Sequence, residues 1–331
     1  MVSNWLRIKA FLCTWCAVFL WGWCLVLFSC SAEHSSVSKR HALFSVGLDT
    51  IKTFSTDRVV LSTLENKTYN RIVLLATPFY NYFQALNAET NVVGVLNHDR
   101  LTHVGSHVKS VGQGDQIDLE RIMALDPDLI ICNSYQLDQV KSFDQVKLVC
   151  DEYLESDPLR RLDFLSLIAP LVGANEKAEN VINYKLKCFK TYKVNAEKMV
   201  LKLDNFGSGW YEPGCDTYVS NLIRFAGAKP VCVNGSEKSE KISDEQAILA
   251  LGSQNFLLFM DWGLSKEGYQ KRMAHILTLD NYPARMIYCN TTQSDYFQQS
   301  VLNSHLIIND LHEVLFNGAK GRFFEIVSLE E

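Results

Sequence analysis

The chain has 331 residues, 32 Lys and Arg against 37 Asp and Glu, and a formal net charge of −5. No Lys/Arg cluster stands out, so the electrostatic footprint of a nucleic-acid partner is missing. A span of about 300 residues is too long for one simple core and suits two lobes.

In chain order, the first feature is an apolar run, FLCTWCAVFLWGWCLVLF (11–28), preceded by Arg7 and Lys9 and followed by the polar stretch SAEHSSVSKR. A basic start, an apolar stretch and a small residue before a break make the pattern of a secretory signal, although the run also approaches the length of a membrane-crossing helix. Leu27, Ser29 and Cys30 resemble a bacterial lipoprotein signal, in which Cys30 becomes the lipid-bearing first residue; Phe28 departs from that pattern. Both outcomes tether the rest of the chain to a membrane from outside the cytoplasm: the lipid on Cys30 if the run is cut, the run itself if it is retained. Without residues 1–30 the balance is 30 basic against 37 acidic side chains, a net of −7. Six cysteines remain, at 132, 150, 188, 215, 232 and 289, with no close pair. Several sit in apolar runs such as LIIC and MIYC, and the expectation is mostly free, buried thiols.

The first half, 31–157, alternates strands and helices. RIVLLA (71–76) and NVVGVL (91–96) read as strands around the helical FYNYFQALNA. In DLERIMALDPDLIIC (118–132), Asp118 caps a helix with an inner face of Leu119, Ile122, Met123 and Leu125, and LIIC is the next strand. Such alternation predicts a parallel sheet with helices on its faces.

Between the halves, at 158–198, Asp157 and Pro158 open a first helix, and Gly173 to Asn175 reset the chain into a second. That second helix, Glu176 to Glu197, would be about 33 Å long and could act as a strut between lobes that move little. The second half, 199–331, repeats the scheme with a strand KMVLKL, a helix CDTYVSNLIRFAGA closed by Gly227, and the boxed helix SDEQAILAL before FLLFMD. RMIYCN and LNSHLIINDLHEVLF supply a further strand and a final helix.

Four stretches in this order, "DLERIMALDPDLII", "YLESDPLRRLDFLSLIAPLVGANEKAE", "GSGWYEPGCDTYVSNLIRFAGAKP" and "SDEQAILAL", resemble the substrate-binding proteins of ABC importers for ferric siderophores, haem and vitamin B12. The resemblance runs from about Arg71 to Phe316. It implies an α/β fold of two Rossmann-like lobes with parallel sheets joined by one long helix, as in class III periplasmic binding proteins. It also implies a monomer without cofactor or catalysis that holds its cargo between the lobes, and a permease with its ATPase as partner. Glu120 in DLERI and Glu245 in SDEQA match the family's permease-docking glutamates; each lies at the second helical position after its cap, where the helix dipole alone also favours an acid.

In open parallel sheets, ligands bind outside the carboxyl ends of strands. The residues that follow the predicted strands are Phe79, Tyr80, Tyr82, His98, Arg100, Asn133 and Tyr135 in the first half, and Trp210, Tyr211, Trp262 and Tyr296 in the second. An aromatic lining suits a flat or greasy chelate such as haem, a catecholate or a corrin ring, with Arg100 available to a carboxylate; loop packing by the same rings is the plain alternative.

Two other readings compete. His98, His103 and His107, in NHDRLTHVGSH, would serve a zinc- or manganese-binding protein, but Gly105 and VKSVGQGDQ read as loop. An enzyme would need a motif that the chain lacks: there is no GxSxG, no P-loop lysine, and FGSGW holds only two glycines of a dinucleotide fingerprint. The sequons at Asn66, Asn234 and Asn290 carry no information in a bacterial lipoprotein.

Overall fold

The protein is represented by a computed structural model that describes residues 43–46, 50–54, 59–64, 67–205, 209–236, 239–251, 256–260, 265–268, 271, 285–291 and 293–328. Cys30 and Trp262, both singled out above, lie outside these residues. A single compact unit spans Arg40–Glu331. Among the described residues no helix is long and apolar enough to cross a membrane.

The first three strands, β1 (Phe44–Val46), β2 (Thr50–Phe54) and β3 (Val59–Thr63), form a small antiparallel sheet that the sequence did not announce. The first lobe is built on β4 (Ile72–Leu74), β5 (Val92–Val95), β6 (Lys109–Ser110), β9 (Leu129–Cys132) and β10 (Val146–Val149), with a hairpin of β7 (Gly112–Gln113) and β8 (Gln116–Ile117) beside them. Its sheet runs in the order β10–β9–β4–β5–β6 with every pairing parallel. Successive side chains of a strand face opposite ways, and both faces are covered here. Ile72, Leu74, Leu129, Ile131 and Leu148 enter one core, while Val73, Ile130, Cys132 and Val149 enter the other.

The second lobe repeats this design. It contains β11 (Met199–Lys202), β12 (Asp204–Asn205), β13 (Trp210–Glu212), β14 (Lys229–Pro230), β15 (Glu240–Ile242), β16 (Phe256–Met260), β17 (Arg285–Cys289) and β18 (Phe324–Ser328). The main sheet has the order β14–β11–β16–β17–β18, parallel except for β18, and β12, β13 and β15 form a second, antiparallel sheet.

The described α-helices are α1 (Phe79–Ala85), α2 (Leu119–Leu125), α3 (Leu137–Val140), α4 (Phe164–Ile168), α5 (Asn175–Cys188), α6 (Tyr218–Phe225), α7 (Asp244–Leu251), α8 (Tyr296–Leu302) and α9 (Ser304–Asn317). Three of them begin at side-chain caps, Asp118, Thr217 and Ser243. Asp118 accepts a hydrogen bond from the Arg121 amide at 3.0 Å, and Ser243 and Gln246 make the expected reciprocal box at 3.2 and 3.0 Å. Gly227 follows α6 with φ +88°, a backbone that L side chains rarely adopt, and an added Cβ would lie 3.2 Å from both the Lys193 carbonyl oxygen and Tyr192 Cβ.

Three expectations need correction. The connecting helix ends at Cys188, fourteen residues and roughly 21 Å long. Phe189 turns extended there because its ring packs against the cores of both lobes, which continued helix would prevent; the chain then reaches β11 without helix. On α2 only Ile122 is buried, and Met123 is 59% exposed, since a helix of two turns has room for a narrow inner face. Finally, Cys215 and Cys232 form a disulfide across a separation of 17 residues, with Cα atoms 5.5 Å apart; Cys132, Cys150 and Cys289 are buried thiols, as expected.

One short helix joins the lobes. Tyr296, at the start of α8, belongs to the second lobe's core, whereas Val301 and Leu302, at its end, belong to the first lobe's core with Phe79 and Phe83.

Candidate ligand-binding cleft

The carboxyl ends of the first lobe's strands carry the candidate site. Beyond β9, Asn133 to Gln136 form a single turn tied on every side. The Ser134 amide donates to Asp151 Oδ1 at 2.8 Å, Gln136 Nε2 donates to the Leu75 carbonyl at 3.1 Å, and Asn133 Nδ2 donates to Tyr135 Oη at 3.2 Å. Asp151 comes from the end of neighbouring β10, so these bonds hold the two strand ends together. They leave Tyr135 57% exposed, edge-on to Tyr153, which is 47% exposed, with ring centroids 6.3 Å apart and planes at 71°. Two rings presented from anchored turns make a rigid apolar platform with phenol groups at its edge.

Sequence reasoning named Tyr135 as a candidate and did not name Tyr153. The signal was available: Tyr153 stands four residues beyond Val149, where the rule that found Tyr135 would have placed it had KLV been read as a strand.

The other aromatic candidates lie elsewhere. Phe79, Tyr80 and Tyr82 are buried in the first lobe, at 0, 1 and 0% exposure, because with Phe83 they form the apolar face of α1, three- and four-residue steps apart, that packs into the core. Tyr82 Oη donates to the Arg161 carbonyl at 3.0 Å, and Tyr80 Oη accepts from the Gly105 amide at 3.1 Å. Trp210 is 1% exposed, tilted against Phe259 at 6.1 Å in the second lobe's core. Its neighbour Tyr211 is half-buried on β13. Tyr296 is 3% exposed, and among the described residues its hydroxyl has no hydrogen-bond partner. None of these buried rings offers a ligand a face in this state.

His98 and Arg100 form a short turn beyond β5, with Arg100 exposed. His103 and His107 are also exposed, and His107 Nε2 lies 3.3 Å from the Glu89 carbonyl. Among the described residues no three His, Cys, Asp or Glu side chains come together as a metal site.

The second lobe offers a buried ion pair at the end of β11. Lys202 is 3% exposed and donates to Asp204 and to the Leu203 carbonyl. Burial pulls the Lys202 pKa below its ordinary value, against the opposing pull of Asp204. At the junction of the lobes Glu152 and Arg161 are also buried. Burial raises the Glu152 pKa, and the positive Arg161 partly offsets it. Burial alone would lower that of Arg161, but Tyr218, Glu152 and Tyr82 outweigh it and leave it raised.

Glu120 and Glu245 are both exposed, in the first turns of α2 and α7. Hydrogen bonds with its own backbone and with Ser243 hold the Glu245 carboxyl below the usual carboxylate range, which keeps it ionised.

With this geometry in place, comparison with known proteins is decisive about kinship. The family model described as "Periplasmic binding protein" matches residues 72–284. The chain belongs to that family. Solved structures of similar fold include a periplasmic heme-binding protein from Pseudomonas aeruginosa (16% identity, 78% of this chain and 98% of that one, TM-score 0.61). Others are the siderophore-binding protein FhuD of Vibrio cholerae with bound Fe3+-Desferal (15%, 75% and 100%, 0.55) and the vitamin B12-binding protein BtuF of Vibrio cholerae (12%, 75% and 98%, 0.53). No curated protein matches the sequence.

Proposed function

We propose that this periplasmic binding protein is the extracytoplasmic receptor of an ABC importer, capturing an iron chelate, haem or a corrinoid between its lobes and handing it to a permease and ATPase. The observation that carries the reading is the Tyr135–Tyr153 platform at the carboxyl ends of two parallel strands, in a chain of this family. The cargo classes come from the likeness in fold to heme-, siderophore- and vitamin B12-binding proteins. The platform suits a flat or greasy chelate, with His98 and Arg100 beyond β5 as polar partners. Tyr211, and Trp262 outside the described residues, are the second lobe's candidates. The buried Phe79, Tyr80, Tyr82, Trp210 and Tyr296 support the cleft from behind.

The receptor is held to the membrane by a lipid on Cys30, or by the uncleaved apolar run, and works as a monomer. The Cys215–Cys232 bridge supports an oxidising compartment. Docking uses Glu120 and Glu245, both exposed, one on each lobe. Catalysis plays no part. Charge reversal at both glutamates, Glu120→Lys with Glu245→Lys, tests this: uptake of the chelate into cells should fall at least tenfold while its affinity for the isolated protein stays within twofold. Normal uptake by the double variant would remove the docking assignment.

A further inference from the structure

Inside the junction of the lobes, Arg161 meets residues of both lobes. Tyr82 comes from α1 of the first lobe, Glu152 from the turn just beyond β10 of the same lobe, Arg161 from the segment between the lobes, and Tyr218 from α6 of the second; none is more than 9% exposed. The Arg161 guanidinium carbon lies 3.6 Å from the Tyr218 ring centroid, and Arg161 Nε donates to the Glu155 carbonyl at 3.3 Å. Tyr82 Oη holds the Arg161 carbonyl from the other side at 3.0 Å. Tyr218 is itself fixed, its hydroxyl donating to the Ser300 carbonyl at 3.0 Å and lying 2.8 Å from Ser304 Oγ. A second bond runs parallel to these, from Asn221 Nδ2 on α6 to the Ser156 carbonyl at 3.0 Å.

We propose that Arg161 is a pin that fixes the angle between the two lobes. A guanidinium and a carboxylate are tolerated out of water only while their partners surround them. Rotating the second lobe by even an ångström or two would lift the Tyr218 face from Arg161 and leave two buried charges poorly covered. A packed junction of this kind has discrete positions and does not deform smoothly. The end of α8 reinforces the arrangement, with Val301 and Leu302 set in the first lobe's core. The pin takes over the role that sequence alone gives to a long connecting helix, and cargo enters a cleft whose width is set in advance. This inference concerns the lobes themselves and stands whatever the cargo proves to be.

Electron–electron spin resonance distances test it. Spin labels go on ketone-bearing amino acids placed at the exposed positions Gln139 and Ala319, one on each lobe, which avoids the native cysteines. The otherwise unaltered full chain should give one narrow distance distribution. Arg161→Met with Glu152→Gln removes both charges and leaves no orphan, and should at least double the width. Tyr218→Leu, which takes away only the covering ring, should also broaden it and serves as the reading if the double variant does not fold. A broad distribution in the parent chain, or an unchanged width in the variants, would overturn the proposal.

Discussion

Removing the Cys215–Cys232 bridge is a perturbation whose size can be worked out in advance. The bridge spans 17 residues and encloses the whole of α6 together with β14. Closing a loop of that length in the unfolded chain costs about 3 kcal/mol of chain entropy, which the bridge supplies to the folded state. The folded contacts around it are mainly backbone bonds that survive the substitution: the Cys215 amide donates to the Ser236 carbonyl at 2.7 Å, and Arg224 Nη2 donates to the Cys215 carbonyl at 2.6 Å. Cys215→Ala with Cys232→Ala should therefore lose close to the entropic figure. In urea unfolding, with a slope of about 3 kcal/mol/M for a protein of this size, that is a midpoint lowered by on the order of 1 M. Reductant should shift the parent chain by the same amount and the variant by nothing. Equal midpoints for parent and variant, or a variant that still responds to reductant, would refute the reasoning.

Other predictions follow from single sites. Gly227→Ala places a side chain at φ +88° against Lys193 and Tyr192 and should cost about 1–3 kcal/mol in the same urea assay. Among the described residues His305 Nδ1 is buried without a partner, and burial, with the nearby Lys185, lowers the His305 pKa to about 4 from 6.5. The unfolded chain therefore binds the extra proton more readily, so this contribution to stability is complete above pH 6.5 and is lost as pH falls towards 4. Unfolding midpoints between pH 7 and 4 should fall less steeply in His305→Phe than in the parent, and parallel curves would contradict the assignment. Tyr135→Ala and Tyr153→Ala should each weaken chelate binding about tenfold, roughly 1.4 kcal/mol, without moving the unfolding midpoint, because both rings are about half exposed.

Strands buried on both faces announce themselves most clearly. LIIC and FLLFM carry only apolar side chains because helices cover the sheets on both sides, and each appears where the sequence puts it. Caps are equally legible, since Asp118 and the Ser243–Gln246 box act within four residues of themselves. What failed was anything decided at a distance. The connecting helix stops at Cys188 because Phe189 finds two cores at once, a partner that no local pattern displays. Helix α8 escaped notice because YFQQSVL is divided between the cores of two lobes and shows neither face strongly. At the candidate site, the position of a residue after a strand pointed to Tyr135, but position alone could not tell an exposed ring from one turned inward. Phe79, Tyr80 and Tyr82 satisfy that rule and also helical spacing, and their burial on α1 prevailed.

The central claim is that the protein binds a metal chelate with its cleft. Equilibrium dialysis of the full chain in detergent against haemin, cyanocobalamin and ferric desferrioxamine, each followed by its own visible absorbance, tests that claim most directly. The account predicts saturable, one-to-one retention of at least one of them at micromolar or lower concentration, weakened by Tyr135→Ala and by Tyr153→Ala. Retention of none, or retention indifferent to both tyrosines, would contradict it.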